Sequence, residues 1–168
     1  MKLVIIIGVT ILVALGAIWF ITKSPAQNLE STNRWFSVNV LCEGKKTCLY
    51  RGRDIDINII LTNISTEPIS IPAKLLEQRG PSITLINLDT QQKQVLRTQP
   101  SDQNLLTDLI RLEPGQTTRI TWVIPASELR TVGGEAVNIQ AWVSILSPVL
   151  VGGVSNDYTA SSSIEIIH

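Results

Sequence analysis

Cys42 and Cys48 enclose the segment EGKKT, and their spacing points more directly to covalent or metal chemistry than that of any other pair in this 168-residue chain. The donor count argues against zinc. A structural site takes four Cys or His ligands, and here two cysteines stand with a single histidine, His168, at the far end. The apolar alternation of WFSVNVL before the pair and LY after it suggests a hairpin clipped across its polar loop by a disulfide. Closing so small a ring contributes about 2 kcal/mol through chain entropy. Such a bond persists in an oxidising compartment, which would place residues 24–168 outside the cytosol. A reduced neighbouring pair is the alternative. Lys45 and Lys46 would project from the clipped loop and are candidate partner contacts.

Other residues offer less. His168 is the last residue, where fraying is expected, so Ser-His and Cys-His catalysis lack a rigidly held base. Asp54 and Asp56, two apart on an expected strand, point to one face and could hold calcium with a third oxygen ligand; the plainer reading is the solvated side of that strand. The pairs Gly133-Gly134 and Gly152-Gly153 are not followed by the Lys and Ser or Thr of a phosphate loop, and read as turns. Asn63-Ile64-Ser65 fits a glycosylation acceptor, although at a strand end Asn63 is better taken as a turn former. The expectation is a non-enzymatic chain with no cofactor, no metal and no evident small-molecule substrate.

What must position these residues begins with a membrane segment. Residues 3–21, LVIIIGVTILVALGAIWFI, contain Thr10 as their one polar side chain. As a helix the run is about 28 Å long, close to the ~30 Å hydrocarbon core of a bilayer. A cleaved signal peptide is the alternative, with Ser24, Pro25 and Ala26 supplying a site before Gln27. The length of the run and the interfacial pair Trp19 and Phe20 favour a retained anchor. Lys2 and the terminal amine precede it and Lys23 follows, so the positive-inside rule favours a cytoplasmic N-terminus. The reading is an anchor at 1–23, a linker at 24–33 and one domain at 34–168, displayed in the periplasm or outside the cell. From residue 24 onward the 14 Lys and Arg less Lys2 and Lys23 face 14 Asp and Glu, a formal charge of −2 that gives no basis for nucleic-acid binding.

The domain reads as all-β. Ile55, Ile57, Ile59 and Leu61 alternate with Asp54, Asp56, Asn58 and Ile60, so residues 54–63 form a strand with one buried face. A turn at 65–68 and a short strand ending at Pro72 follow. Further strands are expected at 82–89, 93–98, 117–124, 137–146 and 158–167, with short helical turns at 73–80 and after Pro125. Seven or eight short strands suggest an immunoglobulin-like sandwich of two antiparallel sheets. Trp122 and Trp142, each inside an apolar strand, are expected core anchors rather than ligand-stacking residues. Residues 147–163 are expected to form a long loop whose Val149, Leu150 and Val151 either meet a partner or close one end of the sandwich.

RGRDIDINIILTNISTEPISIP and LEPGQTTRITWVIP join a strand ending in Asn to a later Pro-Gly turn feeding a Trp-bearing strand. In this the chain resembles the immunoglobulin-like bacterial surface modules. With ITLINLDTQQKQV between them, the same segments, residues 51–125, are also similar to the bacterial intracellular proteinase inhibitor family. The resemblance implies a small sandwich fold. It implies little about activity, because the aromatic residues that the inhibitors place before the Pro-Gly turn are replaced here by LRTQPSDQNLLTDLIR, and an anchor is foreign to an intracellular inhibitor. The functional expectation is an interaction module of an envelope assembly, with an unknown protein partner. The alternative is an inhibitor of an extracytoplasmic protease or cell-wall hydrolase, using Lys45 and Lys46. A pilin-like subunit ranks below both, since residues 3–21 contain no glutamate.

Overall fold

The computed structural model describes residues 34–168, and the anchor and linker expected at 1–33 lie outside them. No helix among the described residues is long and apolar enough to cross a membrane. The domain is mostly strand, folded as two sheets around a shared core.

The first sheet holds β1 (Phe36–Leu41), β3 (Ile55–Asn63) and β8 (Thr117–Ile124) in the order β1-β3-β8, with antiparallel pairing throughout. Its central strand follows the expected alternation: Ile55, Ile57, Ile59 and Leu61 are buried while Asp56, Asn58 and Ile60 face away. The second sheet runs β2 (Thr47–Leu49), β10 (Val154–Ile167), β9 (Asn138–Val151), β4 (Ile69–Ile71) and β7 (Ile110–Leu112). β5 (Ser82–Asn87) also pairs with β9 and carries β6 (Lys93–Leu96) on its outer side. The expected all-antiparallel arrangement needs one correction, since β2 lies parallel to β10.

β9 and β10 extend well beyond the expected strands. They pair over all fourteen residues of each, from Val154↔Val151 to Ile167↔Asn138, around the two-residue turn Gly152-Gly153. Both glycines have positive φ, 55° and 86°, the backbone that lets a tight turn match the twist of its strands. The other edge of β9 is shared between β5, which ends opposite Ser144, and β4, which meets it at Leu150. In the gap between them, Arg79 reaches over from α1 (Ala73–Arg79) and its guanidinium donates to the Leu146 carbonyl.

Both short helices form where expected. α2 (Ala126–Gly133) has Pro125 before it, and Asp54 Oδ1 accepts from its first N–H, Ala126 N, at 2.8 Å. At the other end Asn87 Nδ2 donates to Val132 O at 2.9 Å, so side chains from the two sheets hold α2 at both termini. Gly80 ends α1 at φ 71° directly against the Trp122 ring, where a Cβ would stand 2.3 Å from ring carbons. Gly115 has a similar φ of 78° but open space around it. Replacing Gly80 by Ala therefore combines backbone strain with overpacking and is expected to cost about 3 kcal/mol, against about 1 kcal/mol for Gly115→Ala. Urea denaturation of the two variants beside the parent chain measures the difference.

Candidate functional site

The Cys42–Cys48 segment is tightly built, but not as the expected hairpin. Glu43 and Gly44 take positive φ of 49° and 80° in a two-residue turn, and Cys42 and Lys45 exchange both backbone hydrogen bonds at 2.9 Å. The chain then leaves the first sheet and enters the second. Lys46 O accepts from Glu165 N, and β2 runs along β10. β1 and β2 are thus strands of different sheets. The expected clip across one hairpin is replaced by a contact between sheets.

Both cysteines are buried in the core and are free thiols in this structure. Burial pushes the Cys48 thiol well above the usual range, helped by its hydrogen bond with Cys42 and the nearby Cys42 and Glu43 charges. Lys45 and Lys46 are both exposed, and Lys46 Nζ donates to Ser162 Oγ at 2.8 Å and to Ser163 O at 3.4 Å, with partial burial lowering its pKa. Of the two expected contacts, Lys45 projects and Lys46 binds β10. Beside them a cleft of about 230 Å³ is lined by Cys42, Glu43, Leu49, Arg53, Asp54 and Asp56, among others. Asp54 is committed to capping α2, and no group of three or more metal-ligating side chains occurs among the described residues.

The expected loop at 147–163 is strand. Val149 is fully buried, and Leu150 and Val151 are half-buried within β9. Val149 is therefore core and cannot present itself to a partner. Strand periodicity decides this, since Ile139, Ala141, Val143, Ile145, Ser147 and Val149 all fall on the inner face. Asn63 is likewise inaccessible at 1% exposure. Its Nδ2 donates to Glu67 O and Leu112 O, and its Oδ1 accepts from Ser65 N and Ser65 Oγ, so it is a buried turn former and not a sugar acceptor. His168 is tethered rather than frayed, with its N–H on Val137 O and its ring 6.5 Å from that of Tyr50.

The same periodicity overturns one of the two expected core tryptophans. Trp122 packs against the core beneath Gly80. Trp142 lies on the outer face of β9, 42% exposed, with its indole N–H held by Gln140 Oε1 at 2.9 Å. Across the sheet its row reads Val95, Thr84, Trp142, Ser163, with Val95 56% exposed. The next row along is Ser82, Ser144, Ser161, and beyond it stands Leu146 at 48% exposure opposite Thr159. The centre of this face carries apolar and hydroxyl groups. Charges appear one row to the other side, at Lys93 and Glu165. Sequence reasoning missed the face because it weighed the type of residue 142 and not its position in the alternation.

No family model matches the chain, and no curated protein matches it in sequence. Among solved structures it is similar to the sporulation control protein Spo0M of Bacillus subtilis, at 15% identity over 80% of this chain and 50% of that one, with a TM-score of 0.39. It is also similar to a β-glucosidase of Listeria innocua in complex with glucose (12% identity, 79% and 16% coverage, TM-score 0.36). A protein of Archaeoglobus fulgidus gives 12% identity, 79% and 95% coverage and a TM-score of 0.35. The chain thus spans half of the first and a small part of the second, and these TM-scores assign neither family nor activity.

The opposite placements of the two tryptophans have a direct readout. Trp122→Ala is expected to lose about 3 kcal/mol of stability, and Trp142→Ala less than about 1 kcal/mol. Equal losses in denaturant titrations would show that Trp142 is a core residue after all.

Proposed function

We propose that the chain is a membrane-anchored, non-enzymatic interaction module of an envelope assembly, displaying an immunoglobulin-like sandwich in the periplasm or outside the cell. The observation that carries the reading is the outer face of the second sheet, where Trp142 and Leu146 of β9 and Val95 of β6 remain exposed while the other face is packed. An exposed tryptophan whose own row carries apolar and hydroxyl groups, with charges Lys93 and Glu165 one row away, has the composition of protein–protein hot spots, in which a few large side chains carry most of the binding free energy. The partner is accordingly a protein, and Trp142 is its central contact. The apolar run at 3–21 supports the anchor, and Lys2 supports an inward N-terminus.

One observation favours the alternative of an inhibitor of an extracytoplasmic hydrolase. Lys45 projects from a turn closed by two backbone hydrogen bonds, and a loop already ordered loses less entropy on binding. Lys46, bound to β10, takes no part in that reading.

Photo-crosslinking in intact cells from probes at positions 142 and 45 separates the two. The module reading expects a discrete protein adduct from position 142, lost at least tenfold on Leu146→Asp while the thermal midpoint is kept. Adducts from position 45 alone, together with inhibition of a secreted hydrolase that Lys45→Ala abolishes, would replace it with the inhibitor reading.

A further inference from the structure

We infer that Cys42 and Cys48 form a disulfide that staples the two sheets together, and that this bond is made before β2 docks on β10. Cys42 follows β1 at the end of the first sheet, and Cys48 is the middle residue of β2 at the edge of the second. Both side chains belong to the shared core, at 7% and 1% exposure, and Cys42 lies close enough to Cys48 to help raise the pKa of its thiol. The turn between them is fixed by the paired Cys42 and Lys45 backbone bonds, which limits how far the two residues can separate.

The staple matters most for β2. That strand is three residues long, and its ladder consists of Glu165↔Thr47, Ile166↔Cys48 and Ile167↔Leu49 in parallel register. A parallel strand so short gains little from its hydrogen bonds, and a covalent tie to the end of β1 removes most of the freedom it would have on opening. The Glu43-Gly44 turn and the two lysines after it are then fixed from both sides, by the bond and by Lys46 on β10.

The order of events follows from burial. Exchange begins when one chain thiolate attacks a donor disulfide, either glutathione disulfide or that of a thiol oxidase. The attack forms a mixed disulfide and releases one donor thiolate. The second chain thiolate then attacks the chain sulfur of the mixed bond and expels the other. Two chain thiols are oxidised, one donor disulfide is reduced to two thiols, and the two protons pass through solvent to the donor thiolates. Cys48 is 1% and Cys42 7% exposed even beside the cleft, so a donor has little access to either sulfur once β2 has docked, and exchange proceeds while it is still undocked. Once it has docked, the same enclosure protects the bond from reductant.

The test uses the full chain in detergent, unfolded with reductant and refolded with and without glutathione disulfide; it does not depend on where in the cell the domain resides. The oxidised product is expected to be lighter by two hydrogens, to contain a 42–48 linked peptide and to show no thiol in denaturant. Its thermal midpoint should lie about 5–10 °C above that of the reduced chain. A Cys42→Ala/Cys48→Ala variant should show no such redox dependence. Chain first folded reduced should resist both glutathione disulfide and thiol reagents, reacting about a hundredfold faster when unfolded. Two titratable thiols after oxidative refolding, or oxidation to dimers or glutathione adducts alone, would overturn the bond. Rapid oxidation of the folded reduced chain would overturn the order.

Discussion

Each sheet buries one face against the other, and that requirement governs the rest of the domain. Because successive strand residues point to opposite sides, a strand with one face in the core has a single acceptable register; a slip of one position would bring Ile57 and Ile59 out and Asn58 and Ile60 in. The same condition on β9 sends Ile139, Ala141, Val143 and Ile145 inward. Residues that look like candidates for function are then sorted by parity before chemistry has any say. Val149 goes to the core, Trp142 and Leu146 to the surface, and both cysteines into the core that the sheets share.

Burial of the faces leaves polar backbone at the strand ends, and the side chains there complete its hydrogen bonding. Asn63 closes β3 and ties it to Leu112 of β7. Asn87 closes β5, accepts from Asp89 N and Thr90 N, and satisfies the last turn of α2. Arg79 covers the Leu146 carbonyl that neither β5 nor β4 reaches. These groups lie at the seams between elements, where an unmade hydrogen bond costs more than a made one gains.

Local order was readable from the chain to the extent that it was periodic. β3, β5 and β8 emerge with nearly the expected bounds, since alternation, β-branched residues and bounding Asn or Pro agree there. The length of β9 and β10 was obscured because residues 155–163 are largely small and polar, a composition shared by loops and by strands whose partner supplies the stability. β7, three residues long, is too short to show a period, and β2 takes its parallel partner from more than a hundred residues away. Pairing of that kind leaves no local signature. The position of Trp142 was different, because Val137, Ile139, Ala141 and Val143 already assign it outward. Parity along the strand, and not hydrophobic identity, sets the side on which residue 142 stands.

The proposed binding surface lies on a sheet face, and such a face differs physically from a surface built on loops. The row from Val95 to Ser163 spans four hydrogen-bonded strands, roughly 14 Å at the usual strand spacing. Its backbone is fixed by pairing on both sides of β9 and β5, and its central indole by Gln140. A partner meeting this row has no loop to order, so the entropy lost on association is chiefly that of bringing two bodies together. Tethering by a membrane anchor would reduce that remaining cost for a partner in the same membrane, by raising its effective concentration. The weak contacts of one tryptophan and its apolar neighbours would then suffice for an association that free domains in solution would form poorly. In the proposed reading, a small face of apolar and hydroxyl groups on a rigid sheet and the apolar run at 3–21 are therefore consistent parts of one physical arrangement.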